Sequence, residues 1–203
     1  MTGNSEKRTR PRVSASLSIT PATFSVARSP ASNLHLTITS HHPDPITIYA
    51  DDLSPNLMLK CGAIVITSLS TGTEVQQRRS THCRIPLPSK VAVPLNERLF
   101  YTLMPNAPLT FAAPFILGST RRGLQGVNGL EPGEDYLLTL ARDSRIPWNS
   151  IRWWEYGTKE QVLYGDDYEH ILDGRAVRFG PGSHEAIIVE STSIGAVAFR
   201  YWE

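Results

Sequence analysis

The sequence predicts an all-β sandwich, and three observations predict it. Apolar and polar residues alternate with period two over several segments of strand length, the spacing that turns one face of a strand to a core and the other to water. Helical periodicity is almost absent. A Pro-Gly turn within Leu130 to Tyr136 carries a tyrosine to the start of a strand. With 203 residues, 40% hydrophobic and 19% charged, the chain can close one core without metal or disulfide support. One domain over residues 13–203 is expected, with further strands added after residue 141.

The first element is not a strand. Residues 1–12 hold Lys7, Arg8, Arg10 and Arg12 against Glu6 alone and read as a disordered basic tail. Val13, Ala15, Leu17 and Ile19 then alternate with Ser14, Ser16, Ser18 and Thr20, and Pro21 stops this first strand because it brings no amide N–H. Leu34, Leu36 and Ile38 repeat the pattern. Beyond the turn-rich stretch His41 to Pro45 it resumes at Ile46 and Ile48, so these two runs are expected to be neighbouring strands. Ala63 to Thr67 is β-branched, and Thr71-Gly72 separates it from Glu74 to Gln77 at hairpin spacing. Leu99, Tyr101 and Leu103 alternate with Phe100 and Thr102 ahead of Pro105 and Pro108. Gly118 to Gly129, with four glycines and Arg121-Arg122, is expected to be an exposed loop. Strands are expected at Tyr136 to Ala141, Ser150 to Trp154, Ala176 to Phe179, Glu185 to Val189 and Ala196 to Tyr201. Helix is limited to one short piece, Lys159 to Leu163, announced by the capping-box order of Thr158 and Gln161.

Tyr136 narrows the architecture. Pro132 presets the first turn position, Gly133 supplies the positive φ of the second, and the tyrosine hydroxyl then reaches back to the backbone before the turn. Such a tyrosine corner belongs to immunoglobulin-like Greek-key sandwiches, with at most one or two short helices here. LHLTITSHHPDPITIYADDLSP, AIVITSLSTGTEV and GLEPGEDYLLTL together resemble a set of uncharacterised fungal β-sandwich proteins. The chain is also similar, over residues 14–141, to the propeptide domain of the deuterolysin-type fungal zinc proteases. None of the shared motifs is catalytic. The protease body is missing, and His184-Glu185 followed by Ala186, Ile187 and Ile188 makes no HExxH helix.

Composition bounds the function. No apolar run approaches the roughly 18 to 20 residues of a membrane span, and the opening residues lack an apolar stretch after their charges, so a cytoplasmic or nuclear location is expected. Cys61 and Cys83, with no Asn-x-Ser/Thr sequon, are expected to be free thiols in a reducing compartment. Residues 13–130 hold nine basic and five acidic side chains, whereas residues 131–203 hold seven basic and thirteen acidic. Opposed halves fit two complementary faces of one fold better than the single basic stripe that nucleic acid demands.

Candidate chemistry is sparse. Trp148, Arg152, Trp153, Trp154 and Tyr156, with the Arg121-Arg122 loop, form the candidate ligand or partner surface, since an exposed indole beside a guanidinium stacks on planar groups. The competing reading gives both Trp153 and Trp154 to core and rim. Cys61, His82 and Cys83 lack metal-ligand spacing, His41 and His42 read as solvated turn residues, and no metal or cofactor is expected. Asp51-Asp52 and Asp166-Asp167 are read as turn formers that lack a third positioned group. The leading expectation is a non-catalytic binding or interaction domain whose partner is a protein or a hydrophobic small molecule. Its rival is a small enzyme of fungal specialised metabolism, a cyclase or isomerase with an aromatic-lined pocket. A protease-inhibiting or chaperone-like module rests on the propeptide resemblance alone.

Overall fold

The computed structural model describes residues 9–25, 32–75, 90–92, 97–115, 127, 129–141, 150–165, 176–178, 185–191 and 197–202. In chain order the strands are β1 (Val13–Thr20), β2 (Thr23–Ser25), β3 (Asn33–Ser40), β4 (Ile46–Tyr49), β5 (Ile64–Ser68), β6 (Lys90–Ala92), β7 (Phe100–Leu103), β8 (Pro108–Pro114), β9 (Asp135–Leu140), β10 (Ser150–Ile151), β11 (Trp154–Tyr156), β12 (Ala176–Arg178), β13 (Ile187–Ser191) and β14 (Val197–Trp202). The helices are α1 (Pro55–Lys60) and α2 (Lys159–Tyr164).

The protein is an all-β sandwich. One sheet has the order β10-β13-β1-β3-β8 and the other β2-β14-β9-β5. β1 is antiparallel to β3 along its whole length, from Val13 opposite Ser40 to Thr20 opposite Asn33, and parallel to β13. Pro21 has no N–H for the ladder, so the chain leaves the first sheet there. It enters the second as β2, parallel to β14, with the Arg200 amide donating to the Ala22 carbonyl at 2.8 Å.

Alternation in the sequence becomes burial in the core. Val13, Ala15, Leu17 and Ile19 on β1, Leu34, Leu36 and Ile38 on β3, Ile64 and Ile66 on β5, and Tyr136, Leu138 and Leu140 on β9 join one cluster. The Phe199 ring of β14 stacks on Tyr136 at 5.4 Å and meets Phe115 edge-on at 5.5 Å. The corner forms as expected. Gly133 takes φ 85°, and the Tyr136 hydroxyl accepts from the Glu131 amide at 2.5 Å, pinning the start of β9.

The third sheet, β11-β4-β7, corrects several expectations. β3 and β4 are not partners: β1 and β8 already flank β3, and the turn between them moves the chain from one sheet to another. His42 in that turn is buried and lies 5.2 Å from the Tyr156 ring, so it is not a solvated turn residue, while His41 is exposed and its Nε2 bonds the Ser14 hydroxyl at 2.8 Å. Ser150 to Trp154 is two strands, β10 and β11, on different sheets. β7 buries Phe100 and Leu103 and leaves Tyr101 half-buried, because this sheet is covered on both faces. One face meets the main core. The other takes α2, whose Leu163 packs with Phe100, Tyr49 and Trp153. Thr47, fully buried in β4, donates its hydroxyl proton to the Gly157 carbonyl at 2.9 Å.

Local signals are met elsewhere. The turn after β5 uses Gly72 at φ 68°, and the Val75 amide donates to the Ile66 carbonyl at 2.8 Å. α2 has the full capping box, with Gln161 Oε1 accepting from the Thr158 amide at 2.9 Å. Lys159 and the Tyr164 hydroxyl bind Glu97 at 2.9 and 2.7 Å and tie the helix to the approach of β7. Thr9 to Arg12, placed by the sequence in the tail, are seated on the domain: Pro11 is buried and the Arg12 carbonyl accepts from the His41 amide at 2.9 Å. Asp51 and Asp52 begin a 3-10 turn that runs to Leu53.

Two outcomes follow from this packing. Leu36→Ala, which removes a core side chain with 1% exposure, should cost about 2 to 5 kcal/mol in urea unfolding. Glu97→Gln should weaken the protein by about 1 kcal/mol or less at neutral pH. The Lys159 and Tyr164 hydrogen bonds hold the Glu97 carboxyl below its ordinary pKa. Its contribution is therefore complete above the ordinary carboxylate range and lost as pH falls through the lowered value. Thermal unfolding of both proteins between pH 3 and 7 should show the difference closing on the acid side.

Candidate functional site

The segment from Ser150 to Tyr156 steps between sheets, and that step decides where its side chains go. Ser150 and Ile151 pair with β13 at the edge of the first sheet, and Trp154 to Tyr156 pair with β4 at the edge of the third. Adjacent residues of an extended chain face opposite ways. Trp154 enters the main core with 5% exposure, and its indole N–H donates to the Glu185 carbonyl at 3.0 Å. Trp153 faces the other way, half-buried and edge-on to Phe100 at 5.2 Å. Trp154 thus belongs to the core and Trp153 to the smaller cluster around α2, on opposite faces of the chain as the sequence requires. Trp148, Arg121 and Arg122 lie outside the described residues, as do His82, Cys83, Asp166 and Asp167. Cys61 is half-buried at the C-cap of α1.

Arg152, between the two strands, reaches Asp52 at 2.5 Å with both side chains about a quarter exposed. Tyr49, Asp51, Ser150 and Trp153 complete a shallow cleft around this pair. Its free space is about 10 Å³, enough for about one water. Burial raises the Asp51 pKa and the Asp52 charge raises it further, against a partial offset from Arg152. Burial also raises Tyr49, with Asp51 and Asp52 adding to it. The cleft therefore has room for about one water beside Asp51. Among the described residues no three His, Cys, Asp or Glu side chains converge as a metal would require.

Tyr156 opens onto a different feature. Its ring meets Trp154 edge-on at 5.0 Å, and its hydroxyl donates to the Thr9 carbonyl at 3.1 Å. Arg10 binds Glu185 at 3.2 Å and Arg12 binds Glu190 at 2.7 Å. The Arg12 hydrogen bond holds the Glu190 carboxyl below its ordinary pKa. The seam between β11 and β13 is thus occupied by the chain's own Thr9 to Arg12. Sequence reasoning singled out Tyr156 but not this occupant; the one signal was the charge contrast between the basic start and the acidic last third.

No family model, curated protein or solved structure matches the chain.

The cleft makes a signed prediction. Asp52→Asn removes the neighbouring negative charge and should lower the Asp51 pKa, whereas Arg152→Ala removes the offsetting positive charge and should raise it. Carboxyl-carbon NMR titrations read both directly, and movement in the same direction for both variants would contradict this account.

Proposed function

We propose that this protein is a non-catalytic interaction domain that binds an extended protein segment along the seam between β11 and β13. One observation carries the reading: a segment is already seated there, with its Thr9 carbonyl on Tyr156 and its arginines on Glu185 and Glu190. Because β13 is already flanked by β10 and β1, side-chain pairing and the single carbonyl contact to Tyr156, rather than addition to a free sheet edge, would carry recognition. The tyrosine corner and the parallel pairing of β2 with β14 support placing the sandwich in the immunoglobulin-like Greek-key class.

The second reading, a small enzyme acting on a hydrophobic intermediate, draws on Asp51, a half-buried carboxyl of the cleft whose pKa is raised by burial and by Asp52. Size weighs against that cleft as its site. A ligand pocket occupies about 300 to 1,000 Å³, and this cleft offers about 10 Å³.

Peptide display against the full chain separates the two. Selected peptides should shift the Trp154 indole N–H resonance, because that group donates to the Glu185 carbonyl beside the seam. A display that yields no binder, together with apolar metabolites that raise the melting temperature, would replace this reading with the enzyme.

A further inference from the structure

We infer that the seam is selective for an extended segment carrying Arg-Pro, presented by a partner protein, and that Thr9 to Pro11 are its displaceable intramolecular occupant. This rests on the interaction reading above. The chemistry of the seated segment defines the ligand. Arg10 and Arg12 sit two residues apart, so on extended backbone they share one side, and both meet acids flanking or within β13. Pro11 lies between them and is buried, and it requires no hydrogen-bond acceptor for an amide proton. The Thr9 carbonyl is taken by the Tyr156 hydroxyl. One carbonyl, one guanidinium and one pyrrolidine are thereby read in sequence.

The polar contacts of the segment are exposed, so the burial of Pro11 is the main contact a competitor must replace. The Glu185 side chain is 88% exposed and its Arg10 partner 44%, the situation in which an ion pair contributes little. Arg12 stays in place, since its carbonyl continues the β1–β3 ladder through the His41 amide. Only Thr9 to Pro11 need leave. A tethered segment competes at an effective concentration of about millimolar, so the resident copy suppresses binding in trans until it is loosened. Charge complementarity favours a cationic partner: leaving the seam, Arg10 uncovers Glu185, while Glu190 stays paired with Arg12.

The probe is the blocked hexapeptide Lys-Arg-Thr-Arg-Pro-Arg, titrated into the full-length chain and read at the Trp154 indole N–H, which donates to the Glu185 carbonyl. Arg10→Glu should repel Glu185, loosen the resident segment and raise peptide affinity about two- to fivefold over the unmodified chain. Adding Glu185→Lys to Arg10→Glu should restore the internal pair and remove that gain, while the remaining amide spectrum reports an intact fold. Equal peptide binding by the unmodified chain and Arg10→Glu would overturn the resident-competitor account. Concentration-dependent dimers of Arg10→Glu that exclude the peptide would overturn the partner in favour of a second copy. If display peptides without Arg-Pro bind the seam and the hexapeptide does not, the specificity falls and the interaction reading stands; if no peptide binds, both fall.

Discussion

Burial of one apolar layer between the β1–β3 ladder and the β5–β9–β14 sheet is the constraint on which the remaining structure depends. Leu34, Leu36 and Ile38 face Ile64, Ile66 and Leu138 across this layer, each at 0 or 1% exposure. Because side chains alternate, a one-residue slip in any of these strands would turn its apolar set to water. Register therefore has to be fixed early in β9, and Tyr136 does so through its hydrogen bond from the Glu131 amide. β9 pairs with β5 on one side and β14 on the other, and β14 in turn takes β2. The corner thus positions β2 and the last strand, β14, in one sheet.

A second packing problem explains the site. The third sheet has apolar residues on both faces, so α2 is needed to cover what the main core leaves exposed. The chain reaches this sheet from the first one within Ser150 to Tyr156, with no helix to make the crossing. Trp153 and Trp154 consequently belong to different clusters, and Arg152 is left at the junction, where Asp52 meets it. Among the described residues, this stretch serves as a packing joint between two sheets.

Electrostatics arranges the periphery without holding the core. Arg10 with Glu185, Arg12 with Glu190 and the forked contact of Arg200 on Asp135 link distant parts of the chain. Their exposure limits what they add to stability, since each must surrender hydration and side-chain freedom for a screened attraction. They serve as address rather than as adhesive. The near-neutral total charge of +1 conceals a basic start placed against acids of the last third.

The faces of β1, β3, β5 and β9, the turn at Gly72, the corner at Tyr136 and the cap of α2 were legible in the sequence. Each is a local rule, set by residues two to five positions apart and by the conformations that proline and glycine allow or forbid. Tertiary structure decided the rest: that β3 and β4 part company, that Ser150 to Tyr156 divides between sheets, and that Phe100 is buried opposite its apparent pattern. It also decided the partners at the site, Arg152 with Asp52 across 100 residues and Tyr156 with Thr9 across 147. Alternation specifies which way a side chain points and carries no information about which strand lies beside it. That choice follows from the joint burial of all the faces at once, so it exists only in the closed fold.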